Sequence, residues 1–181
     1  MKLAILYLVA IAGAEVVTSV LDLLVVGIIC HGIILTALIV HSSLTPKSPY
    51  RKLLVALCLA PLTRIMSLSM PLAQFPLIYW YLIIYPPLFL AGWVAMRHLN
   101  FTARETGLNA RKLPLQLLIA LTGVIFGVAE YYILRPEPLI SELYWGEMLL
   151  PAFVLLVGTG FTEEFIFRGV VQRASVETLG R

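Results

Sequence analysis

The chain has 181 residues, of which 60% are hydrophobic and 13% charged, and it carries a formal net charge of +3. A soluble domain is about 45–50% apolar and about 25% charged, so this chain cannot cover a water-soluble globule, and its high hydrophobicity excludes a disordered one. The positive balance reflects a shortage of acids and contains no Lys/Arg run that would track phosphates, so no nucleic-acid partner is expected.

The spans follow in chain order. A crossing helix needs about 20 apolar residues at 1.5 Å each. Residues 3–41 form one apolar run interrupted only by Glu15, Asp22 and His31. At almost 60 Å it is too long for one crossing, so it predicts two spans, near 3–21 and 23–41, with a reversal around Asp22. Met1-Lys2 followed by apolar residues and Ala12-Gly13-Ala14 also resembles a signal peptide cleaved before Glu15, but with a single Lys the uncleaved helix is the better reading. Further spans are predicted at about 53–70, 75–96, 113–134 and 148 to roughly 166. Pro61, Pro86-Pro87 and Pro151 interrupt them, which membrane helices tolerate. Cys30 and Cys58 lie in separate apolar stretches and frame neither a disulfide scaffold nor a zinc site.

Loop charges set the orientation. With a cytoplasmic N-terminus, the inside segments hold eleven basic residues: Lys2, Lys47, Arg51, Lys52, Arg97, Arg104, Arg111, Lys112, Arg168, Arg173 and Arg181. The outside loops hold Arg135 against Glu137, Glu142 and Glu147, and aromatic clusters such as Tyr79-Trp80-Tyr81 and Tyr144-Trp145 fall at the outer interface. Both biases fit the positive-inside rule and the aromatic belt. The expected fold is an all-α, polytopic membrane bundle of about six transmembrane helices with both ends cytoplasmic.

Charges inside spans are costly and need a partner or a role. Glu15 and Arg64 reach similar depths, on the order of 17 Å from the inner ends of their spans, so they are placed to neutralise each other as a structural ion pair. Glu130 is expected to snorkel to the outer interface beside Tyr131-Tyr132. His31, His41 and His98 have no second His or carboxylate at i+3 or i+4, and none is read as a metal ligand.

The motif with chemistry in it is Gly158-Thr159-Gly160-Phe161-Thr162-Glu163-Glu164-Phe165-Ile166-Phe167-Arg168-Gly169, at the inner end of the last span. On a helix, Glu164 and Arg168 share a face and can pair. Glu163 points elsewhere and has no local partner. A desolvated carboxylate beside another carboxylate suits a general base, whereas an ion pair at a helix end suits an anchor. The residues alone leave both readings open.

The stretch Glu163-Glu164-Phe165-Ile166-Phe167-Arg168-Gly169 resembles the first signature, E-E-x-x-x-R, of the CAAX protease and bacteriocin-processing (Abi) family. These are multi-span intramembrane endopeptidases, usually described as metalloproteases, and the type II CAAX prenyl endopeptidase is the best-known member. The resemblance implies that Glu163 activates water, that Glu164 is the second active-site acid and that Arg168 orients it. It implies a polypeptide substrate, either a prenylated C-terminal peptide or a leader peptide, in a prokaryotic cell membrane. It also implies a divalent metal such as zinc, for which this sequence names no ligands. Residues 1–112 then correspond to variable N-terminal spans, about four of them, and 113–181 to the front of the protease-like domain. The family's later F-x-x-x-H and H-x-x-x-N motifs do not follow Arg168, so the expectation is a fragment holding half an active site. The alternative is a non-catalytic membrane protein (an immunity factor, scaffold or transporter fragment) with a structural Glu/Arg anchor.

Overall fold

The computed structural model describes residues 2–73, 77–109, 113–135 and 144–180, and these residues contain helices and turns but no strand. The predicted charges Arg111, Lys112, Glu137, Glu142 and Arg181 lie outside the described residues. Five helices are long and apolar enough to cross a membrane, at Leu24–Leu44, Arg51–Pro71, Tyr79–His98, Leu113–Ile133 and Met148–Leu179. The architecture is that of an integral membrane protein.

The first apolar run does break in two. Helix α1 (Lys2–Ser19) ends in a short reversal, and α2 (Leu24–Leu44) begins after it. Asp22 turns the chain with φ at +54°, in the left-handed region that Asp visits more readily than most residues. At 18 residues α1 is shorter than the five candidate spans, about 27 Å in length. It packs closely on α2 where Gly27 faces Thr18, whose hydroxyl donates to the Ala14 carbonyl at 2.9 Å. A Cβ on Gly27 would meet Thr18 Oγ1 at 2.1 Å. Gly27→Ala should therefore destabilise the hairpin by about 1–3 kcal/mol. Adding Thr18→Ala should recover most of that loss, as read by unfolding in mixed micelles.

The third span, expected over about 53–70 with Pro61 interrupting it, falls within a crossing-length stretch, Arg51–Pro71, and is broken in two. Helix α3 (Arg51–Leu57) and α4 (Leu59–Ala73) meet at Cys58. Pro61 has no N–H for the Leu57 carbonyl and crowds it, which accounts for the break one turn upstream of the proline. Helix α5 (Leu77–His98) carries Pro86-Pro87 without a break. Helix α6 (Leu113–Leu134) is exposed at every described side chain, Glu130 included.

The last helix departs furthest from expectation. It does not stop near 166 but runs unbroken from α7 (Trp145–Phe153) to α8 (Gln172–Leu179). Two π-wound stretches, Val154–Phe161 and Glu164–Val171, lie between them. Its continuation rests on an apolar face: Phe165, Ile166, Val170 and Ala174 are buried in one core with Tyr85, Leu88 and Met96 of α5 and Leu59 of α4. The charges of the motif lie on other faces and do not end the helix.

Basic residues gather at one end of the bundle and are tied there. Lys52 of α3 pairs with Glu177 of α8, and Arg173 bonds Glu105 at 2.9 Å. Lys52 and Arg173 both sit over the Phe101 ring. The Thr102 amide and hydroxyl both donate to Glu105 and, with Arg173, hold its carboxyl below the usual carboxylate range. The contribution of these contacts is present above the ordinary carboxylate pKa and is lost as pH falls through the depressed one.

Candidate functional site

Glu163 lies ten positions before Arg173, so it stands roughly 15 Å along the helix from the charged layer. This corrects its expected place at a helix end. Two close approaches fix the helix that carries it. Gly92 of α5 lies against Phe165 and Ile166, where a Cβ would come within 3.0 Å of the Phe165 ring. Gly169 passes the loop after α5, where a Cβ would meet the Thr106 carbonyl oxygen at 2.7 Å. The glycine after the motif arginine is thus required by helix–loop contact. Phe89 of α5 adds ring contacts to Phe165 and Phe161, with centroids 5.2 and 5.9 Å apart.

With the apolar side of the motif locked inward, its three charged groups take separate positions. Glu164 and Arg168 pair as expected, with Nε 3.1 Å from Oε2, and their side chains are 57% and 76% exposed. Glu163 is half-buried and turns toward α5. It is not partnerless, because the Tyr85 hydroxyl donates to its Oε1 at 2.8 Å. A shallow apolar groove of about 260 Å³ opens alongside, lined by Tyr85, Pro86, Phe89, Gly158, Phe161 and Thr162 among others. The site therefore offers one carboxylate bonded on one oxygen, a neighbouring carboxylate held by an arginine, and a shallow apolar groove beside Tyr85.

The three histidines are elsewhere, each with a tertiary neighbour that its sequence surroundings do not reveal. His98 Nε2 lies 2.8 Å from Arg51 Nη2, and His41 Nδ1 lies 3.1 Å from the Tyr7 hydroxyl. His31, which looks isolated in sequence, is fully buried with Nε2 3.8 Å from Glu15 Oε2. Among the described residues no three His, Cys, Asp or Glu side chains converge as a metal site. Glu163 and Glu164 are not joined by a histidine, so the donor set does not fit the metal that the resemblance implies.

The expected intramembrane ion pair forms. Arg64 donates to Glu15 through Nε at 2.7 Å and Nη2 at 2.6 Å, a bidentate geometry that fits guanidinium to carboxylate. Ser19 adds a bond to Glu15 Oε1 at 2.7 Å. This cluster joins α1, α2 and α4 and shares no residue with the groove beside Tyr85.

No protein-family model, no curated protein and no solved structure matches this chain.

Proposed function

We propose that this chain supplies the carboxylate part of an intramembrane endopeptidase active site of the CAAX-protease type, in a prokaryotic cell membrane. The observation that carries this reading is the division of labour between adjacent acids. Glu164 is committed to Arg168, while half-buried Glu163 accepts a hydrogen bond from Tyr85, itself a wall of the apolar groove. In the proposed step, water attacks the scissile carbonyl carbon as its proton passes to Glu163. The tetrahedral adduct then collapses with cleavage of the C–N bond, and the departing amine takes the proton back from Glu163. The groove would seat an apolar portion of the polypeptide substrate, such as a prenylated end or a leader segment. The resemblance assigns the remaining groups to histidines that do not follow Arg168 in these 181 residues. The second reading, an anchor, draws on the exposure of Glu164 and Arg168, which is ordinary for an i,i+4 pair.

The direct experiment is cleavage of fluorogenic prenylated and leader peptides in liposomes by a form of the protein that includes the histidine motifs, with Glu163→Gln in parallel. Cleavage that disappears in that variant supports the enzyme. Equal cleavage by both proteins overturns the base assignment.

The reading also carries a topology of six crossings, α1 included, with both ends cytoplasmic. The clustering of Lys52, Arg51 and Arg173 at one end of the bundle supports it. Single cysteines at 47–52 or 97–112 should resist a membrane-impermeant thiol reagent in intact cells, whereas cysteines at 138–142 should react. The reverse pattern would refute the orientation and the cytosolic access of Glu163.

A further inference from the structure

We propose that Tyr85 is a positioning residue for Glu163, an inference that rests on the reading of Glu163 as the base. The two residues are 78 positions apart and lie on different helices, yet the phenol donates to Glu163 Oε1 at 2.8 Å. The ring has little freedom to leave. It is buried at 9% exposure, and Tyr81 stacks on one side of it, with centroids 6.0 Å apart and planes 4° from parallel. Gly158, one turn and a residue before Glu163, lies against the other part of the ring. A Cβ there would come within 3.1 Å of Tyr85 Cδ2. The absence of a side chain at 158 lets the phenol reach the carboxylate.

This arrangement fixes one oxygen of a carboxylate that would otherwise rotate about its last torsion, where side-chain wells are broad. A base must hold its free oxygen within hydrogen-bond reach of the attacking water. Small misplacements of such a group are costly in rate. Tyr85 neither gives nor takes the reaction proton in this assignment. It fixes the orientation of the group that does, at the wall of the groove where substrate would lie.

The test uses the same histidine-containing form of the protein in liposomes with a cleavable peptide. Tyr85→Phe keeps the ring and its packing and removes only the hydroxyl. It should lower kcat by roughly ten- to a hundredfold with KM unchanged, the range for a lost hydrogen bond to a charged group. In a Glu163→Gln background the same substitution should cost nothing further, because its effect is exerted through Glu163. Gly158→Ala, which crowds the ring, should give a partial loss of kcat. If Glu163→Gln is inert but Tyr85→Phe turns over at the wild-type rate, the positioning role falls and the base reading stands. If Glu163→Gln still cleaves, the base reading itself falls. A second measurement needs no turnover. The carboxylate stretch isolated by subtracting the Glu163→Gln infrared spectrum should shift in Tyr85→Phe, and an unmoved band would overturn the contact.

Discussion

A Glu163→Gln enzyme is expected to cleave its peptide roughly 10²–10⁴-fold more slowly, the usual consequence of losing a general base. Its abundance should stay near wild type. The amide oxygen of Gln can still accept the Tyr85 hydrogen bond, so the contact at 2.8 Å survives in form while the proton acceptor is lost. Glu164→Gln should behave differently. It leaves Arg168 without the carboxylate that now sits 3.1 Å away, at a level about 8 Å inside the charged layer at Arg173. That variant and Arg168→Ala should lose membrane abundance as well as activity, measurable by quantitative immunoblotting beside the cleavage assay. Near wild-type cleavage by Glu163→Gln would make the anchor the better description of the motif.

Removing either member of the Glu15–Arg64 pair should destabilise the fold by about 3–5 kcal/mol, because the survivor is an uncompensated charge in an apolar setting. Replacing both with apolar residues of similar size should be close to neutral. The cycle can be read from unfolding of the purified protein in mixed micelles, and additive losses would mean that the pair contributes no coupling. Glu15 should be the more sensitive single site. It receives three hydrogen bonds, from Ser19 and twice from Arg64, and it is also the carboxylate nearest the buried His31 ring.

The parts that sequence revealed are those governed by length and by spacing along one helix. The depth of Glu15 and Arg64 predicted their pairing, a run too long for one crossing required the turn that Asp22 makes, and the i,i+4 interval joined Glu164 to Arg168. Contacts between helices left no such trace. Tyr85 lies four residues past the Tyr79-Trp80-Tyr81 belt, and nothing local marks it as the partner of Glu163. His31 looked isolated because its neighbour Glu15 lies across a hairpin. Charges at 163, 164 and 168 resemble a membrane boundary, so sequence alone places the end of the last span near 166. Burial of Phe165, Ile166 and Val170 against α5 carries the helix past them.

A turn closed from residue i to i+5 holds one residue more than an α turn, and such winding brackets Glu163 at 154–161 and 164–171. With uniform α pitch, the direction of Glu163 around the helix axis would be dictated by the faces on either side of it. The wider turns uncouple the two. The outer half can keep its apolar surface while Phe165 and Ile166 stay seated on α5, and the carboxylate lies at the seam between them. Rewinding either stretch from five residues back to four would rotate Glu163 relative to Phe165 and Ile166 or to the outer half of the helix, and away from the Tyr85 hydroxyl.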